Sequence, residues 1–367
     1  MKHCFRAASV AAFLISGHAG AADRVGDEKA GVEQPPLAIQ AQASLGEAGL
    51  LRSYFEGDQF GSVQWRIGQA RTTIGSAAAS GLPSSRYRDG TADTIIPLNF
   101  IHVLPDGESA LRFGMRGTFN DGADYLVESN GGTGRLDLQY LWFPDARTML
   151  GIGGVFERTH LDNVGSGTYN KTAGGIRADA LNEFSEHWGI AARVEYSWGE
   201  GDLNTMIAPG INLRHKQGDD HLYTQAELIG QFRNGDLAMI PQGWVLHPSV
   251  GIQFQRDFIE ATADSFSVVS SGVVGATENY GTAWAYVRME KEVPQNHLSP
   301  NFLIGLEHEY VNDLEGVVKE PNYAVFGGGV SMMTGKAARI EISYTRHQGL
   351  QANRWNQAVV GTVTLNF

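Results

Sequence analysis

Ten charged residues stand singly in the middle of stretches in which every second residue is apolar: Arg66, Arg112, Arg116, Arg193, Glu195, Glu227, Arg288, Glu290, Glu307 and Glu341. An unpaired charge is too costly for a dry core. Charges of both signs at mid-strand suit a wet lumen, where they shape the path and selectivity of an ion. The competing role for any one of them is to pair across strands and fill the interior.

Other residue sets test for catalysis and metal binding. Asp219, Asp220 and His221 follow Gln217 and Gly218, a composition that predicts a short turn. His160 and Asp162 stand where a long loop is expected to begin, a place that sites favour. Glu307, His308 and Glu309 on one straight strand cannot share a metal, because His308 points to the opposite face. The 11 histidines show no zinc-type spacing. No Gly-x-Ser-x-Gly elbow opens a helix, and Gly131-Gly132-Thr133-Gly134 lacks the helix that a phosphate loop requires. The residues therefore predict no enzyme, no catalytic set, no metal and no cofactor.

What must position the ten charges is a period of two. Trp188, Ile190, Ala192, Val194, Tyr196 and Trp198 oppose Gly189, Ala191, Arg193, Glu195 and Ser197. The same alternation marks strands around Val63–Ile67, Leu111–Met115, Leu136–Trp142, Leu222–Leu228, Val250–Phe254, Ala283–Met289, Phe302–Leu306 and Ile340–Tyr344. Val359, Gly361, Val363, Leu365 and Phe367 close the chain on an aromatic within such a strand. Its open edge would be an aggregation hazard, which closure into a barrel removes.

Short connections are expected at Leu104–Gly107, Phe143–Asp145, Phe184–His187, Gln217–Asp220 and Thr334–Lys336, with longer Gly- and Asn-rich ones between them. Short turns on one rim and long loops on the other describe an outer-membrane barrel. Ser76–Arg88 and Val164–Lys171 are the long loops on which a surface role would depend. Phe258–Thr277 reads either as one more strand or as a loop. Tyr140, Trp142, Trp188, Trp198, Tyr310, Tyr344 and Phe367 near strand ends fit interfacial girdles.

Residues 1–21 carry Lys2 and Arg6, an apolar run from Ala7 to Ile15 and Ala19-Gly20-Ala21, the pattern of a secretory signal peptide. Cys4, the single cysteine, lies within it, so neither a disulfide framework nor a thiol site is expected in the exported chain. Loss of Lys2 and Arg6 takes the net charge from −12 to −14, which argues against a nucleic-acid partner. Glycine is abundant, 46 in 367 residues, against a usual ~7%. Residues 22–58 begin as a charged linker ending at Pro35-Pro36. Leu37, Ala41, Leu45, Ala48, Leu51 and Phe55 then recur at helical spacing, weakened by Gly46 and Gly49. This segment reads either as a helix that enters and plugs the lumen or as a loosely ordered leader.

Leu246–Ile252, Asp264-Ser265-Phe266, Ala283–Met289, Leu303–Tyr310 and the closing Val359–Phe367 resemble the carboxy-terminal β-domain of autotransporters. The resemblance covers the last third to two thirds of the chain and implies an outer-membrane barrel. Val363, Leu365 and terminal Phe367 look like the signal by which the β-barrel assembly machinery receives its clients. Members of that family carry a large passenger, whereas only residues 22–58 stand before the barrel here.

The reading at this stage is an all-β, antiparallel transmembrane barrel over residues 59–367, of about 12 to 16 strands with an even 14 or 16 expected. The expected location is the bacterial outer membrane, with lipid and the assembly machinery as partners and the oligomeric state open. A pore for small solutes, or for the chain's own amino-terminal segment, is the first functional expectation; a surface platform acting through long loops is the second.

Overall fold

The computed structural model describes residues 35–56, 90–122, 129–163, 167–269, 277–313, 320–334, 338–351 and 355–366. Pro36–Phe367 is one compact unit. Two helices, α1 (Leu37–Glu47) and α2 (Leu50–Glu56), precede thirteen strands among the described residues. The strands are β1 (Gly90–Val103), β2 (Ser109–Gly122), β3 (Ser129–Asp145), β4 (Thr148–Asn163), β5 (Gly167–Asn182), β6 (Trp188–Ala208), β7 (Ile211–Gly230), β8 (Trp244–Ile259), β9 (Thr277–Lys291), β10 (Ser299–Asn312), β11 (Asn322–Thr334), β12 (Ala338–Gly349) and β13 (Trp355–Asn366). Each pairs antiparallel with the next, and β13 returns to β1 to close the barrel.

An even count is not what forms. With strands alternating up and down, a thirteenth runs in the same direction as the first, so β1 and β13 pair in parallel, from Gly90↔Trp355 to Ile101↔Asn366. That ladder skips Ile96 and Pro97, and Pro97 has no N–H to give it. The strand expected around Val63–Ile67 and the loop expected at Ser76–Arg88 lie outside the described residues, as do residues 1–34 and Phe367.

Some expected connections fall wholly or partly in strands instead. Phe143–Asp145 forms the end of β3, with the turn following at residues 146 and 147. Gln217–Asp220 sits inside β7, where Gly218 pairs with Glu200 and His221 with Ser197. Of the loop expected at Val164–Lys171, Gly167–Lys171 pair with β4 and β6, and residues 164–166 lie outside the described residues. Among the described residues Phe258–Thr277 supplies no further strand: β8 ends at Ile259, β9 begins at Thr277, and residues 270–276 lie outside the described residues.

The outward face is apolar, with Ile304 66% exposed, Ile152 64% and Leu138 60%. Water would not tolerate such a wall, whereas hydrocarbon would. On β6 the outward residues run from Trp188 through Ile190 and Val194 to Trp198, ten residues on. That run spans about 25 Å across the membrane at the strand rise and tilt typical of such barrels. Trp198 packs edge-on to Tyr196 at 5.1 Å. At the other level Trp244 stacks on Phe302 at 6.1 Å. These are the two girdles of a membrane-spanning barrel. Beyond Trp198, β6 and β7 continue as a charged hairpin with an exposed Lys216–Glu200 pair.

At the rim that carries the end of β13, the β1–β2 turn is closed by Asp106, whose carboxyl accepts the Ser109 hydroxyl at 2.5 Å and two backbone N–H groups. The Ser109 bond foremost, together with those amides, holds the Asp106 carboxyl below its ordinary range. The same turn receives the helices: the Ala38 N–H donates to Gly107 O at 2.8 Å.

Candidate functional site: the lumen and its helical segment

Within residues 22–58, α1 and α2 are helical and lie inside the barrel, while residues 22–34, 57 and 58 lie outside the described residues. Ala38, Ala41, Leu45, Ala48, Leu50 and Tyr54 pack against inward residues of the wall, including Ile101, Leu141, Phe143 and Leu181. Leu45 and Leu50 are fully buried, each contributing about 1.5–3 kcal/mol over an exposed position. Gly49 explains the break between the helices, because its φ of +77° is open to glycine at little cost. Gly189 allows the approach: a Cβ there would stand 2.6 Å from Leu50 Cδ1.

Below the helices one side of the lumen is filled. Arg135 donates to Asp137 at 2.9 Å and to Glu195 at 2.6 and 2.8 Å. Arg177 donates to Asp179 at 2.7 Å and to Asp137 at 3.3 Å, and Arg193 donates to Asp179 at 2.9 Å. Arg112 donates to Asn99 and Gln139. All these side chains are buried. The Tyr54 hydroxyl donates to Gln139 at 2.7 Å, and the guanidiniums of Arg112 and Arg177 lie over its ring. The Tyr54 carbonyl, in the last turn of α2, accepts from Arg193 at 2.6 Å and Arg177 at 3.5 Å. Two cations thus cap a helix end whose carbonyls would otherwise lack partners.

The other side is hollow. A cavity of about 740 Å³ lies between the helices and the wall from β7 to β13. Arg52 crosses part of it, 2.6 Å from Glu341 and 3.5 Å from Glu290, and Ser53 donates to Glu227 at 2.6 Å. Arg339 reaches both Glu290 and Glu341 at 3.2 Å.

The ten sequence-derived candidates divide accordingly. Glu227, Arg288, Glu290 and Glu341 line the cavity. Arg112, Arg193 and Glu195 face inward but are consumed by the packed cluster, so their role is filling. Arg116 faces inward on β2, and Arg66 lies outside the described residues. Glu307 faces inward, 2.8 Å from His347 and within a hydrogen bond of Tyr286, away from the cavity. Val363 and Leu365 are on the outward face of β13.

Sequence reasoning missed Arg52 and Tyr54, which only the docked helix brings into play, and the inward pairs Arg135/Asp137 and Arg177/Asp179. The last two share a legible signal, Arg-x-Asp, which puts opposite charges on one face of a strand.

The rejected catalytic sets form no catalytic arrangement among the described residues. Asp219 accepts from Lys171 and Tyr169, while His221 bonds Asp257 at 2.8 Å. His160 and Asp162, 3.3 Å apart, are exposed on β4 and not in a loop. Glu307 and Glu309 face inward and His308 outward, as period two requires. Among the described residues no group of three or more His, Cys, Asp or Glu could hold a metal.

Gly251 is a close-approach position on the hollow side, since a Cβ there would meet the Trp284 indole at 2.2 Å. Gly251→Val is expected to push Trp284 off Glu227, which now accepts its Nε1–H at 3.2 Å, and to cost about 1–3 kcal/mol. Thermal unfolding followed by the mobility shift of the folded barrel on a gel would register it.

No protein-family model matches the chain, and no curated protein matches it by sequence. Among solved structures, the translocator domain of the autotransporter NalP from Neisseria meningitidis superposes with a TM-score of 0.50 at 10% identity, over 82% of this chain and 94% of that chain. The β-domain of the Bordetella autotransporter BrkA gives 0.47 at 14% identity, over 68% and 94%. A Pseudomonas aeruginosa FadL homologue gives 0.42 at 11%, over 67% and 68%. The likeness to the NalP domain is one of fold, and in fold this chain is an autotransporter-like β-barrel.

Proposed function

We propose that the chain is an outer-membrane barrel of a Gram-negative bacterium that passes small solutes along its hollow side, with α1 and α2 as the plug. The observation that carries this reading is the division of the lumen: one side is packed solid, and the helices overhang the 740 Å³ cavity on the other. The short-turn rim, where α1 starts, faces the periplasm, and lipid covers the apolar wall. The assembly machinery, reading Val363, Leu365 and Phe367, inserts it.

Arg52→Ala tests the reading. It removes the plug's contacts with Glu341 and Glu290 but leaves both acids with Arg339, so the barrel folds. In a planar bilayer, openings should become severalfold more frequent than in the wild type, since loss of about 1–2 kcal/mol of differential stability shifts a closed–open equilibrium roughly five- to thirtyfold. Unchanged currents in a correctly folded variant would count against the plug.

A surface platform is favoured by one observation, the β6–β7 hairpin. Arg214 on it exchanges two hydrogen bonds with Ser265, in a loop that exposes Phe266, Val268 and Val269. If this is the working part, removal of residues 201–216 abolishes binding to host or partner surfaces and leaves conductance unaltered.

A further inference from the structure

Glu227 differs from the other acids of the cavity. Glu290 and Glu341 each meet guanidiniums of Arg52 and Arg339. Glu227 instead meets only neutral donors: Ser53 Oγ at 2.6 Å, Trp284 Nε1 at 3.2 Å and the Ser249 hydroxyl. No cation stands within ion-pair distance of it among the described residues. Arg52 on α2 and Arg288 on β9 line the same cavity and are turned to Glu341, at 2.6 and 3.9 Å. Trp284 and Tyr286, with rings stacked at 6.2 Å, line the cavity beside it, as do Gln225 and Ser249.

A carboxylate without a counter-charge, bordered by two aromatic rings and by hydroxyl and amide oxygens, matches the needs of an ammonium group. The charge is met by the acid and the ring quadrupoles, and the N–H donors by the oxygens. A metal ion would demand several oxygen ligands at fixed distances, and here a single carboxylate is available.

We propose that Glu227, with Trp284 and Tyr286, is the recognition subsite for an organic ammonium ion entering the cavity. Ser53 belongs to α2, so an ammonium bound at Glu227 displaces one of the plug's own bonds and favours its release. This coupling rests on the plugged-channel reading, whereas binding does not.

The test is isothermal titration of the folded full chain in detergent micelles with three probes of similar shape: phenethylammonium, 2-phenylethanol and 3-phenylpropionate. Phenethylammonium alone should bind. Glu227→Gln should weaken it about tenfold or more, the loss of about 1.4 kcal/mol of charge attraction, and Trp284→Leu should weaken it as well. The second variant decides the matter should the first not fold, with circular dichroism as the folding check. Equal binding of all three probes, no binding of the ammonium, or an unweakened folded variant would overturn the subsite. None of these outcomes bears on the current recorded from Arg52→Ala, so the two ideas fail separately.

Discussion

A chain that begins at Asp58 is expected to carry a steady current in a planar bilayer where the form beginning at residue 22 is closed with brief openings. A helix with its side chains is about 10–12 Å across, and in this barrel it lies beside the cavity between β7 and β13. Its withdrawal vacates the space now held by Ala38, Ala41, Leu45 and Leu50 and breaks the contacts of Arg52, Ser53 and Tyr54. The stepwise conductance should therefore rise at least severalfold, not only the frequency of openings. Equal steady currents in both forms would mean that the helices do not obstruct the path. Silence in both would mean that the cluster from β2 to β6 and its surroundings already seal the lumen. The working part would then be sought in the β6–β7 hairpin.

The barrel was legible because its outer face must be apolar for the whole width of a membrane. Trp188–Trp198 alternates without a fault for that reason. Strands β4, β5 and β11 were not legible: outward Gly154, Gly174 and Gly328 remove large apolar residues from the alternation, and inward Gly151, Gly153, Gly175, Gly327 and Gly329 remove the polar residues that would oppose them. On the inward face glycine recurs because neighbouring atoms leave little room. A Cβ on Gly153 would stand 2.0 Å from Leu138 O, and one on Gly175 would stand 2.3 Å from Tyr196 O. The turn expected at Gln217–Asp220 failed for a related reason. Asp and Gly usually stop a strand in water, but Asp219 is held within β7 by Lys171 and Tyr169.

The inward face is harder to read. Alternation tells which charges point into the lumen and says nothing of whether they meet water or each other. That depends on which strands become neighbours around the ring and on where the helices dock. Glu195 and Glu290 look alike in sequence, each an acid two residues after an arginine, Arg193 or Arg288, on the polar face of a strand. Only the register, which puts Arg177 and Arg135 within reach of one side and leaves a cavity on the other, separates them.

Reversing those two acids should therefore have opposite consequences. Glu195→Arg removes the acceptor of two bonds from Arg135 and sets another guanidinium beside Arg135, Arg177 and Arg193, all buried. Breaking one member of a buried pair costs about 3–5 kcal/mol, and the like charge adds to it. Most of the refolded material should lose the heat-resistant folded band on a gel. Glu290→Arg lies on the cavity, where Arg52 at 3.5 Å and Arg339 at 3.2 Å keep Glu341 as a partner. The exchange there should cost less than at Glu195, leave the barrel folded and loosen the plug. Under a salt gradient it should move the reversal potential towards anion selectivity. A folded Glu195→Arg barrel with altered selectivity would mean that the β2–β6 side also conducts, and that the packed cluster is part of the path.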